Sequence, residues 1–124
     1  MNLVDSSGWL EYFADGPNAA TFSRLIEKIE EVIIPSIIIT EVFKRVLQQR
    51  GERAALQVAA HMNQGRIIDL DFNLAMHAAK LGYKFKLPLA DSIILATALQ
   101  CGAVLWTQDE DFKSIRGVRF IPKR

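Results

Sequence analysis

Two kinds of apolar pattern alternate along this chain. Short unbroken runs at Met1–Val4, Val32–Ile34 and Ala103–Trp106 have the length and continuity of strands buried on both faces. Arg66–Leu70 and Arg119–Ile121 are two further strand candidates. Between the runs, apolar residues recur every three or four positions, the period of a helix with one face on a core. Trp9, Leu10, Tyr12 and Phe13 carry that period until Asp15-Gly16-Pro17 breaks it. A second helix begins at Asn18 or Thr21 and sets Phe22, Leu25, Ile26 and Ile29 on one face. Ser36 reads as the N-cap of a helix running to about Gln49, although Ile37 and Ile38 are equally able to prolong the preceding strand. Glu52–Gln64 follows across Gly51. Phe72–Leu81 is next, with Leu74, Ala75, Ala78 and Leu81 on one face and Gly82 as its stop. Pro88 suits a first helical position, so Leu89–Gln100 makes the last helix, closed by Gly102.

Short apolar strands separated by helices imply a parallel sheet covered on both faces. The expected fold class is therefore α/β, a three-layer α/β/α sandwich with a central, mostly parallel sheet. At 124 residues the chain fits a single domain over 1–124, and no repeat, low-complexity stretch or linker divides it.

Composition changes this picture little. Half the residues are hydrophobic, and fifteen basic residues against fourteen acidic leave a net charge of +1, so no overall field points to a polyanionic partner. The distribution is less even. Lys113, Arg116, Arg119, Lys123 and Arg124 make the end of the chain basic just after the acidic run Asp109-Glu110-Asp111. Cys101, the single cysteine, has no internal partner and fits a buried thiol in a reducing compartment. The stretch MNLVDSSGWLEYF has neither the basic start nor the long apolar region of a signal peptide. No segment reaches the roughly 20 apolar residues of a membrane span. The expectation is a soluble, cytoplasmic protein with no membrane partner.

The candidate chemistry lies in acids set against apolar runs. Asp5 follows the first strand, and Asp109 follows the strand ending at Trp106. In open parallel sheets, ligands bind beyond the carboxyl ends of strands. Asp91 heads SIILATAL in the first turn of its helix, near the positive end of the dipole. Glu41 interrupts an apolar helical start. Each acid also has a plain structural role: Asp5 as a helix cap, Asp91 as dipole compensation, Asp109 as a turn residue, Glu41 as a partner of Lys44 or Arg45. Three of the four leave the same sheet edge, where crowded carboxylates need a cation to stay ionised. A donor set of oxygens alone points to Mg2+ or Mn2+ rather than zinc. Those ions suit phosphate chemistry. His61 and His77 fall in separate helices without a metal-ligand pattern, which argues against histidine acid/base chemistry.

Four segments in order also resemble the PIN domain, and within it the VapC-like toxin ribonucleases of toxin–antitoxin pairs. LVDSSGWLEYF resembles that family's opening strand and first aspartate, which falls on Asp5; IPSIIITEVFKRV resembles the glutamate segment, which falls on Glu41. LPLADSIILATA resembles its most recognisable motif, with the third acid on Asp91, and LWTQDEDF its closing Thr-x-Asp, at Thr107 and Asp109. The resemblance covers essentially the whole chain. It implies an endoribonuclease that hydrolyses RNA phosphodiesters with metal-activated water. Asp5, Glu41, Asp91 and Asp109 would be the catalytic and metal-holding acids, Asp111 the reserve for the last, and Ser6 and Thr107 the hydroxyls that orient carboxylates. It further implies a homodimer and a cognate antitoxin protein. Trp9, Tyr12 and Phe13 fit either an antitoxin groove or ordinary core, and Lys44 and Arg45 either RNA phosphates or a solvated helix face.

Rival readings are a catalytically inactive PIN-like binding module, a phosphatase of the haloacid dehalogenase type and a receiver domain. The phosphatase needs a second aspartate where Ser7 stands. The receiver needs paired acids at the first strand, which offers only Asp5.

Overall fold

The computed structural model describes all residues, 1–124. Five strands, β1 (Asn2–Val4), β2 (Val32–Pro35), β3 (Arg66–Ile68), β4 (Val104–Thr107) and β5 (Arg119–Phe120), form one sheet. Its order is β3-β2-β1-β4-β5, and every neighbouring pair is parallel. Successive residues of a strand point to opposite faces, and all four residues of β2 are buried, so both faces of the sheet are covered. The cover comes from six helices, α1 (Ser6–Phe13), α2 (Ala19–Ile26), α3 (Ser36–Arg50), α4 (Glu52–Met62), α5 (Phe72–Phe85) and α6 (Leu89–Cys101). This is the expected α/β/α sandwich. None of these helices is long and apolar enough to cross a membrane.

Leu3, Val4, Ile33, Ile34 and Leu105 from the sheet pack with Trp9, Phe22, Ile38, Val42 and Ile94 from the helices in one core. Helix α6 is apolar all round, and Asp91 to Ala98 is an unbroken buried run, as a helix inside the core requires. Trp9 is fully buried, while Tyr12 and Phe13 pack against the core from its margin. All three rings meet the imidazole of His61 on α4 nearly edge-on, at 5.7–6.0 Å between centroids.

Several boundaries differ from the sequence expectation. Helix α5 runs through Gly82 to Phe85 and is closed by Lys86 in the left-handed conformation. Gly82 is instead a contact residue: a Cβ there would lie 3.1 Å from Ser92 Cβ, so its bare backbone lets α5 and α6 approach closely. Strand β3 stops at Ile68, two residues before Leu70. Pro35, not Ser36, occupies the cap position of α3, and Pro88 caps α6 one residue before its first helical residue.

Gly8 in α1 packs closely against β1 and α2. An added Cβ would stand 2.5 Å from Val4 Cγ1 and 2.7 Å from the Phe22 ring, both fully buried. Alanine gains about 1 kcal/mol of helix propensity there, but overpacking costs typically about 1–3 kcal/mol. Because neither neighbour is free to yield, Gly8→Ala is expected to lower the urea midpoint without changing the slope of the transition. A midpoint equal to or above that of the parent would show that this contact relaxes.

Candidate active site

The strand order reverses at β1: the chain moves outward through β2 and β3, then returns to place β4 on the other side of β1. The carboxyl ends of β1 and β4 therefore flank the crevice where parallel sheets bind ligands. Asp5 leaves β1 there and Asp109 leaves β4.

Asp5 is only 2% exposed and caps α1, accepting from the Gly8 amide at 3.3 Å. The same oxygen accepts from Ser7 Oγ at 2.5 Å, and the other accepts from Thr107 Oγ1 at 2.6 Å. Both hydroxyls are themselves acceptors. Thr107 Oγ1 receives the Asp109 amide at 2.9 Å, and Ser7 Oγ receives the Gln108 amide at 3.0 Å. Asp5 is thus both helix cap and anchor of the loop after β4.

Asp91, in the first turn of α6, is 8% exposed. One carboxylate oxygen from each of Asp91, Asp109 and Asp111 falls within a mutual 4.8 Å, a span that one ion can bridge. Asp111 also donates its amide to Asp109 Oδ1 at 2.9 Å, which fixes the turn. Asp5 and Glu41 stand outside that trio but within its electrostatic reach. Glu41 projects from α3 with Oε1 buried and without a hydrogen-bond partner, so it is not the surface ion-pair member that its neighbours Lys44 and Arg45 suggested.

Electrostatics record the crowding. Burial pushes Asp91 up to about 8, helped by the charges of Asp109, Asp111 and Asp5 and by a hydrogen bond with the Asp111 carboxyl. Burial also raises Glu41, partly opposed by the Ser6 hydroxyl, with Asp5 and Asp109 adding repulsion. Asp5 is raised by burial against the hydrogen bonds from Ser7, Thr107 and Gly8, with Asp109 adding its charge. Asp109 thus acts on all three. Asp5, Glu41, Asp91 and Asp109 share one electrostatic site, and Asp111 joins it through Asp91.

Sequence reasoning missed Ser7, Asn18 and Gln108. Ser6 faces Glu41, and it is Ser7 that donates to Asp5. Buried Asn18 donates to Gln108 Oε1 at 2.7 Å and to the Pro122 carbonyl at 2.9 Å, while Gln108 Nε2 donates to the Ser7 carbonyl at 3.3 Å. Asp5-x-Ser7 was a readable local signal for a self-supporting cap. The partners of Asn18, about 100 residues away, left no local trace.

The PIN domain family model matches residues 3–118, and the chain belongs to that family. Among solved structures it is similar to a chain of a toxin–antitoxin complex from Klebsiella pneumoniae, at 26% identity and TM-score 0.80 over 95% of each chain. It is also similar to VapC20 of Mycobacterium tuberculosis, a sarcin–ricin loop cleaving toxin, at 21% identity and TM-score 0.80, covering 98% of this chain and 100% of that one. FitAcB from Neisseria gonorrhoeae aligns at 26% identity and TM-score 0.68 over 98% of both chains. Among curated proteins, no sequence match was found.

The raised Asp91 has a consequence for stability. Between the ordinary carboxylate value near 4 and about 8, the folded chain holds a proton at Asp91 that the unfolded chain has lost. Stability falls with pH wherever the folded state binds more protons. Thermal unfolding of the metal-free protein should therefore show a melting temperature that declines from pH 5 to pH 8. Asp91→Asn should flatten that decline and melt higher than the parent at pH 8. Parallel profiles for the two proteins would remove Asp91 as the source.

Proposed function

We propose that this chain, working as one domain over residues 1–124, is a Mg2+- or Mn2+-dependent endoribonuclease and the toxin of a toxin–antitoxin pair. The observation that carries this reading is the convergence of acids at the β1/β4 edge, Asp5 and Asp91 among them buried, with the buried Glu41 Oε1 left unpartnered. A buried carboxylate oxygen without a donor is costly unless a cation or proton satisfies it. An oxygen-only donor set fits a hard divalent ion. Asp5, Glu41, Asp91 and Asp109 would hold it, with Asp111 the alternative closing acid. When bound, Mg2+ or Mn2+ lowers the pKa of water and neutralises charge that develops on phosphodiester oxygens.

The chain's own residues set the conditions for that chemistry. An ionised carboxylate has about four lone-pair positions. Ser7, Gly8 and Thr107 occupy three on Asp5, so its remaining capacity is aimed by the hydroxyls that hold it. Ser6 acts on Glu41 in the same orienting sense. Asp91 must release its proton before it can ligate, so metal affinity should climb with pH toward about 8.

The toxin assignment draws support from the Klebsiella toxin–antitoxin complex and the RNA-cleaving activity named for VapC20. The former also supports an antitoxin protein as partner. Exposed Phe72, Met76, Tyr83 and Leu89 on α5 and at the start of α6 support a homodimer. The proposed location is the cytoplasm, in keeping with the single free cysteine.

The test is cleavage of a mixed structured-RNA pool by partner-free protein, with Mg2+ or Mn2+ and with chelator. Turnover should require metal and fall roughly 100-fold or more in Asp91→Asn, above the tenfold to hundredfold typical of groups behind a metal ligand. Thr107→Val should lose about 10- to 100-fold. If calorimetry shows no metal binding and parent and Asp91→Asn behave alike, the acidic-site reading falls. Metal binding without cleavage of any RNA would leave the inactive binding module in its place.

A further inference from the structure

A groove runs away from the acid cluster between α1 and α3. Its α1 side carries Ser6, Leu10 and Glu11, with Ala14 just past the helix end, and the Glu11 carboxylate, the one acid of the lining, accepts the Asn18 amide at 2.7 Å. Its α3 wall carries Arg45 and Gln49, which continue the face that begins at Glu41 one turn earlier. The groove has a volume of about 420 Å³ and adjoins a second cavity of about 530 Å³ bordered by Asp109 and Glu110. Ser7, Gln108 and Lys123 line both.

Resting on the nuclease reading, we infer that this groove is the path of the RNA strand into the acid cluster, with Arg45 and Lys123 as its phosphate contacts. An RNA phosphate approaching five clustered carboxylates meets repulsion, and a bound divalent ion offsets only part of it. Arg45 and Lys123 are the two cations of this groove, against the single acid Glu11, and Lys123 also borders the cavity that Asp109 lines. A guanidinium engages phosphate through two parallel hydrogen bonds, and a lysine as a point charge.

The position of Lys123 is built. Ile121 donates its amide to the Thr107 carbonyl at 2.8 Å, and Asn18, 2% exposed, holds the Pro122 carbonyl at 2.9 Å. The residue before Lys123 is therefore tied to the loop that carries Asp109. Asn18 and Gln108 are positioning residues for this basic segment. Leu10 and Ala14 are the two apolar residues of the lining, and the two cations among its polar residues favour a polyanionic strand. Lys44 is adjacent to Arg45 in sequence and equally exposed, but it does not line the groove, which makes it the matched control.

The experiment measures binding of fluorescein-labelled oligouridylate by anisotropy across a salt series, for the parent, Arg45→Gln, Lys123→Gln, the double variant and Lys44→Gln. Calcium replaces the active metals, and Mn2+ calorimetry and melting temperatures verify that each variant keeps its metal site and fold. Each single-strand phosphate contact contributes about 0.7 to the slope of log affinity against log salt. Arg45→Gln and Lys123→Gln should each lose about that amount, and the double variant about 1.4. KM for RNA should rise with little change in kcat, and Lys44→Gln should match the parent. Equal slope losses in Lys44→Gln and Arg45→Gln would overturn the groove in favour of a diffuse field. Metal-dependent cleavage that is indifferent to Arg45 and Lys123 would overturn it while the nuclease reading stands. Residue-specific slope losses without cleavage would support the RNA path and sink the nuclease reading instead.

Discussion

The Thr107 hydroxyl joins the two strands whose ends make the site. It is fully buried and has a single proton. Because it accepts the Asp109 amide, that proton is free to point at Asp5, and it does so at 2.6 Å. The first acid of the chain and the loop bearing the last are thereby held by one oxygen atom. Ser7 repeats the device from the other side, donating to Asp5 while accepting the Gln108 amide. Two hydroxyl clamps thus close the gap between β1 and β4 where the strand order reverses. Parallel pairing of β1 with β4 brings the acids at 5 and 109 to one edge, and these contacts hold them there.

That arrangement makes the acids unequal. Asp5 is the most enclosed, yet it receives three hydrogen bonds that favour its charged form. Glu41 has the Ser6 hydroxyl on one side and an unpartnered oxygen on the other. Asp91 has the dipole of α6 in its favour, but burial and three neighbouring charges outweigh it. A site whose members resist ionisation to different degrees binds protons when cations are scarce. The same repulsion that raises these carboxylates is the driving force a divalent ion would relieve. Crowding of this kind weakens the bare fold and strengthens affinity at once, a frequent compromise at functional sites.

Much of the frame was legible because it is written in local pattern. Continuous apolar runs marked the buried strands, and an acid at the head of a largely apolar helix stood out at Asp91. Gly82 misled because a glycine near the end of a periodic stretch has two physical uses, a left-handed cap or a close approach. Only the packing against Ser92 shows which applies. Leu70 misled because an apolar residue recurs, beyond Asp69, past the last residue that β2 pairs, Pro35 with Ile68. Within the site, the acids were legible and their supports mostly were not. Asp5 and Ser7 are two residues apart, but Asn18, Gln108 and Pro122 meet only after the sheet has formed. A polar residue between two elements carries no mark of a partner about 100 positions away.

Those unannounced supports also explain how a nearly neutral chain can present opposite charges side by side. A net charge of +1 says nothing of arrangement. The sheet order brings carboxylates to the ends of β1 and β4, and the basic end of the chain follows directly, as β5 pairs with β4. Left loose, Lys123 could fold onto Asp109 and Glu110 and neutralise them. The hydrogen bonds from Asn18 to Pro122 and from Ile121 to Thr107 fix the backbone immediately before it, beside the cavity that Asp109 and Glu110 border. Under the proposed reading, the carboxylates of the crevice would meet a cation and the basic residues at its rim an anion. Such separation requires rigid backbone on both sides, which places the polar network around Gln108 at the centre of the site's electrostatic order.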